Sequence, residues 1–128
     1  MSNLLIDTTV VVDYLRGLKD AVDYLDQLKA AAVPTTHTVV VAEVVTGARD
    51  LNNLRSIEGF FAPFQIHRPD ESDADLSIDL LKAFRLSHGV GWPDCLIAAT
   101  ALRLSLAVVT TNVKHFAAIT ALRVVRPY

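Results

Sequence analysis

The sequence predicts an α/β sandwich built around a mostly parallel sheet, and three observations carry that prediction. Short apolar runs of strand length alternate along the chain with longer segments of helical periodicity. Polar residues stand just after the first and fourth of those runs, where open parallel sheets collect their functional groups. The 128 residues, 52% of them hydrophobic and 20% charged, suffice for one sizeable core and are too apolar for a disordered chain.

The elements follow in order. Leu4 to Ile6 is a short buried strand that ends in Asp7-Thr8-Thr9. From about Thr9 to Arg16, three valines favour a strand but Tyr14, Leu15 and the Gly17 stop favour a helix, and helix is the reading. Residues 20 to 31 set Ala21, Val22, Leu25 and Leu28 at helical spacing. Val33 to Thr36 is a second strand, and Thr-His-Thr then offers caps for a helix reaching Asp50. A short helix from Asn52 to Phe61 leads to a third strand, Phe64 to His67, fenced by Pro63 and Pro69. Residues 70 to 88 are the clearest helix, with an acid-rich first turn and a Gly89 stop. Pro93 opens a helix running to about Leu104 that is apolar nearly all round, hence central. Leu106 to Val109 is the fourth strand, followed by Thr110-Thr111-Asn112, and Leu122 to Val125 is the fifth. No repeat or linker divides residues 1–128, which read as a single domain.

Composition narrows the function. A single cysteine, Cys95, makes neither an intrachain disulfide nor a Cys-based zinc site, and reads as a buried small hydrophobe. His37, His67, His88 and His115 lack the i, i+4 pairing of a histidine metal site. The net charge of −2 gives no global attraction to nucleic acid. The apolar stretch from Cys95 to Val109 is broken by polar residues and is too short to span a bilayer. The amino-terminal residues carry Asp7 and Asp13 where a secretory signal tolerates neither, so a cytoplasmic protein is expected.

Three acids stand in or beside apolar surroundings: Asp7 in LLIDTT, Glu43 in VVVAEVV and Asp94 in GWPDCLIAAT. A buried carboxylate needs a cation, a hydrogen-bond donor or a metal, and oxygen-only ligands favour Mg²⁺ or Mn²⁺ over zinc. An acidic metal site able to activate water and steady a phosphodiester under attack is the physical reading. Two of the acids also have a plainer role: Asp7 as the cap of the next helix, Asp94 as an ordinary first-turn acid. Glu43, mid-helix among valines, has no such job.

The strings LLIDTTVVVDYLRG, VVVAEVVTGA and GVGWPDCLIAATALRLSLAVVTTNVKHF, in that order and spacing, resemble the PIN domain, and specifically the VapC-type ribonuclease toxins of toxin-antitoxin pairs. The resemblance covers essentially the whole chain. It implies a PIN-like three-layer sandwich with a five-stranded mostly parallel sheet flanked by helices. It also implies an Mg²⁺- or Mn²⁺-dependent endoribonuclease acting on RNA, an antitoxin partner and a homodimer. Carried over by position, Asp7, Glu43 and Asp94 are metal-binding acids, while Thr8 and Thr110 orient the carboxylates or a bound water. The fourth site position falls on Asn112, where members often carry an acid. His115 stands where many have Asp before Phe116, and Val40 where a small hydroxyl residue is common. Fewer anions weaken the case for a second metal.

Asp13 reads equally as a helix-surface, supporting or metal-contacting acid, and Trp92 as a core or helix-entry aromatic or a base-stacking one. The competing function is a degenerate PIN domain that binds RNA or a protein without cutting. A phosphoacceptor domain would need paired early acids, an Asp after its central strand and a late Lys, and the chain supplies none of these in context.

Overall fold

The computed structural model describes residues 3–128. Its first element, β1 (Leu4–Ile6), feeds α1 (Thr8–Leu15), a helix in spite of its run of valines. Val10 and Val11 are fully buried there, and tertiary burial overrides their strand propensity. Gly17, at φ +79°, turns the chain into α2 (Lys19–Ala31).

The second strand, β2 (Thr35–His37), begins two residues later than the sequence predicts. Pro34 has no N–H to offer a ladder, although its carbonyl accepts from Gln65 N at 2.9 Å. α3 (Thr38–Thr46) also stops short of Asp50. Asp50 instead caps α4 (Leu51–Phe61), its Oδ1 accepting from Asn53 N at 2.7 Å. After β3 (Gln65–His67), α5 (Glu71–His88) is opened by a reciprocal capping box between Asp70 and Asp73 and closed by Gly89 at φ +67°.

α6 (Trp92–Leu104) is central as its composition implies: every residue from Cys95 to Ala101 is buried. β4 (Ala107–Val109), the short α7 (Val113–Phe116) and β5 (Arg123–Val125) complete the chain.

All strand pairs are parallel, but the strands do not form one five-stranded sheet. They form a three-stranded sheet in the order β1-β4-β5 and a two-stranded sheet of β2 and β3. The reason lies at the seam. The Leu4 and Ile6 carbonyls are taken by the Thr35 and Thr36 hydroxyls, the latter at 2.6 Å, so side chains hold β2 against β1.

A buried polar network braces the helices. His37 caps α3, its Nδ1 accepting from Val39 N at 3.0 Å, which leaves the proton on Nε2 facing Thr100 Oγ1 at 2.9 Å. The Thr100 hydroxyl donates to Asp73 Oδ2 at 2.8 Å, and Arg103 donates to both Asp73 oxygens at 2.8 and 2.9 Å. Burial holds the His37 imidazole down at about 4, so it is neutral. Among the described residues, no helix is long and apolar enough to cross a membrane.

Candidate active site

The parallel register of β1 and β4 pairs Ile6 with Val109, so the residues that follow, Asp7 and Thr110, emerge side by side. Asp7 N donates to Val109 O at 2.9 Å, and the Thr110 hydroxyl donates to Asp7 Oδ2 at 2.8 Å across 103 residues of sequence. Asp7 is 3% exposed and Thr110 fully buried. Asp7 occupies the N-cap position of α1, yet its side chain makes no cap bond, so capping does not explain it. Thr9 Oγ1 lies 3.3 Å from Thr110 Oγ1 and accepts from Thr111 N at 3.1 Å, while Asn112 N donates to Thr110 Oγ1 at 2.9 Å. These bonds pin the loop after β4 to the start of α1.

Glu43 arrives from α3, where the Thr8 hydroxyl donates to its Oε1 at 2.7 Å. It is exposed, which overturns the sequence expectation that its valine surroundings bury it. Of the neighbouring valines, Val40 and Val44 are buried and Val45 is exposed, so Glu43 stands at the rim of the buried face of the helix.

Asp94 stands in the first turn of α6, its side chain 25% exposed. His115 Nδ1 sits between the Asp94 carboxylate, 3.0 Å away, and the Asn112 amide nitrogen, 2.7 Å away. Sequence reasoning noted His115 only as a departure; its spacing of three from Asn112, which puts both on one face at the start of α7, was the available signal.

The acids feel one another. Burial pushes the Asp7 carboxyl up to about 6; the Thr110 hydroxyl and the Thr8 backbone oppose the rise, and the charges of Asp94 and Glu43 add to it. A divalent cation offsets such repulsion, and an all-oxygen donor set suits Mg²⁺ or Mn²⁺. Among the described residues, however, no three His, Cys, Asp or Glu side chains are gathered into a ready coordination group. Glu43 is turned to Thr8 and Asp94 to His115.

Other residues weighed from the sequence lie elsewhere. Asp13 Oδ2 accepts from the Tyr128 hydroxyl at 2.7 Å, tying α1 to the chain after β5. Trp92 is 47% exposed, with its indole N–H donating to Ser77 Oγ at 2.9 Å, so it is a helix-entry aromatic at the start of α6 and not a core one. Cys95 is fully buried and burial raises its thiol, which makes it no nucleophile. A cavity of about 440 Å³ opens beside Glu43 between α1, α3 and α4, with Val12, Leu15, Val44 and Ile57 in its wall and Arg16 and Arg49 among its polar residues.

The family model described as PIN domain matches residues 4–122. Ribonuclease VapC19 of Mycobacterium tuberculosis is 36% identical over 114 residues, which are 88% of this chain and 90% of that protein. Ribonuclease VapC10 of the same organism is 32% identical over 114 residues, 88% of this chain and 85% of its own length. Among solved structures, a toxin-antitoxin complex from Klebsiella pneumoniae aligns with a TM-score of 0.75 and 28% identity, covering 98% of each chain. DNA-bound VapBC from Salmonella typhimurium aligns with a TM-score of 0.83 over 100% of each chain, and at 22% identity it bears on the fold alone. With the matched span running from β1 to the residue before β5, and with two ribonuclease relatives above 30% identity, this chain belongs to the PIN-domain family.

Proposed function

We propose that this protein is a metal-dependent endoribonuclease, the toxin of a toxin-antitoxin pair, with one PIN-like nuclease domain over residues 1–128. The observation that carries the site is the Asp7 carboxyl: buried at the end of β1, held by Thr110, and raised further by the charges of Asp94 and Glu43. Relatives named ribonucleases across most of the chain supply the activity.

In this reading Asp7, Glu43 and Asp94 hold Mg²⁺ or Mn²⁺, which when bound activates water and offsets phosphate charge. Thr110 fixes Asp7 Oδ2. Thr8 presents Glu43, and Asn112 with His115 orients Asp94. Hydrolysis breaks one P–O ester bond of the RNA as a P–O bond to water forms. The groove beside Glu43, with its apolar wall, suits a helix of the antitoxin. Exposed Leu86, Ile78 and Leu51 offer apolar surface to a homodimer, and the site of action is the cytoplasm.

A second reading, a domain that binds RNA or a protein without cutting, draws on one observation: Asp94 is engaged by His115, and Asn112 brings no charge. Structured RNA incubated with the purified chain plus Mn²⁺, Mg²⁺ or chelator, alongside Asp94→Asn, separates the two. Cleavage that needs metal and vanishes in the variant is expected. RNA bound but uncut at every metal concentration overturns the nuclease reading.

A further inference from the structure

The charges of Glu43 and Asp94 are felt at Asp7, the three acids repel the phosphates of an approaching RNA strand, and a chain with a net charge of −2 offers no general attraction to compensate. Cations placed next to the acids are therefore required if the ribonuclease reading, on which this inference rests, is correct. A cavity beside the loop after β4 supplies two. It measures about 490 Å³ and is lined by Thr111, Asn112, Val113, Lys114, Ala117 and Arg126.

Asn112 joins this cavity to the acidic centre: it lines the cavity, and its amide reaches His115, which in turn contacts Asp94. Arg126 is held in place, its Nη1 donating to Thr111 O at 3.2 Å. A guanidinium has five N–H donors, so most of its fork is left for a ligand. Among the described residues, neither Lys114 nor Arg126 is ion-paired with a carboxylate, in contrast to Arg103, which is committed to Asp70 and Asp73. The cavity beside Glu43 carries Arg16 and Arg49 as well, but the second cavity is the one that Asn112 lines and that leads through His115 to Asp94. A cavity with a fixed guanidinium and an exposed ammonium suits a phosphodiester, which offers oxygen acceptors and one negative charge.

We propose that Lys114 and Arg126 form a phosphate subsite that holds the RNA backbone beside the bond to be cut. Both side chains are exposed, so their replacement leaves folding intact. The test is fluorescence anisotropy of a labelled single-stranded RNA on the Asp94→Asn background in chelator, with K114Q, R126Q and the double variant. Lys82→Gln, which lines neither cavity, is the control. The double variant is expected to weaken binding about tenfold, with the slope of log affinity against log salt falling by about 0.7 for each cation removed. Lys114→Arg should retain affinity. With Asp94 restored, KM should rise far more than kcat falls, and Mn²⁺ affinity by calorimetry without RNA should not change. Wild-type affinity and salt slope in the double variant, from a chain that does bind and cut RNA, would overturn the subsite alone. A chain that neither binds nor cuts RNA would overturn the ribonuclease reading beneath it.

Discussion

Replacing Asp73 by Asn removes one charge and leaves the shape almost unchanged, which makes it a sharp probe of the network joining α5, α6 and the cap of α3. The carboxylate is 1% exposed and takes donors from Thr100, Arg103 and Asp70 N. Burial by itself raises its pKa; the Arg103 fork, the Asp70 backbone N–H, the Thr100 hydroxyl and the Arg103 charge outweigh that and bring it down to about 2. From an unfolded value near 3.8, and allowing for the solvent that reaches the Arg103 side chain, the ionised group contributes about 2 kcal/mol at neutral pH. That contribution already includes the capping-box bond from Asp70 N. The variant should lose about 2 kcal/mol in urea denaturation at pH 7, or about 7 °C in Tm. The sign with pH follows from the lowered folded pKa. Asp73 stabilises above about 3.8, and that stabilisation fades as pH falls through about 2, so the gap between wild type and variant should narrow over that window. A loss below about 1 kcal/mol at pH 7, or a gap that does not narrow in acid, would refute the reasoning.

Asp7 has the opposite sign: its folded pKa of about 6 lies above the ordinary 3.8, so ionisation destabilises the metal-free fold as pH rises between those values. Asp7→Asn should therefore abolish metal-dependent cleavage yet stabilise the metal-free chain at pH 7 by about 2 kcal/mol, with no gain near pH 3; thermal melts in chelator across that range check it. Asn112→Asp adds an anion beside His115 and Asp94, and calorimetric titration of Mn²⁺ should show tighter binding. Equal affinity and stoichiometry would remove Asn112 from the site. Ile97→Ala opens a hole in the middle of α6, where the side chain is fully buried, and should cost about 3 kcal/mol in urea denaturation with little change in Mn²⁺ affinity.

Local patterns were readable because local energies set them. The Gly89 stop, the acid-rich first turn of α5, the Pro93 entry to α6 and the apolar runs of β1 and β4 each depend on neighbours a few residues away. The family order of Asp7, Glu43 and Asp94 was legible for the same reason that a motif is: it is written in one dimension. The exposure of Glu43 was hidden because five valines in a helix look alike from the sequence, whereas the docking of α3 buries Val40 and Val44 and leaves Val45 and Glu43 exposed. The division of the strands into two sheets was hidden as well, since it depends on Thr35 and Thr36 hydroxyls capturing carbonyls of β1.

The sequence by itself determined which segments are helix and strand and which acids the chain carries to the ends of them. Only the tertiary structure decided what each acid touches: Thr110 on Asp7, Thr8 on Glu43, His115 on Asp94. Those partners lie 103, 35 and 21 residues away, and strand register and helix docking, which no local pattern encodes, bring them within a hydrogen bond.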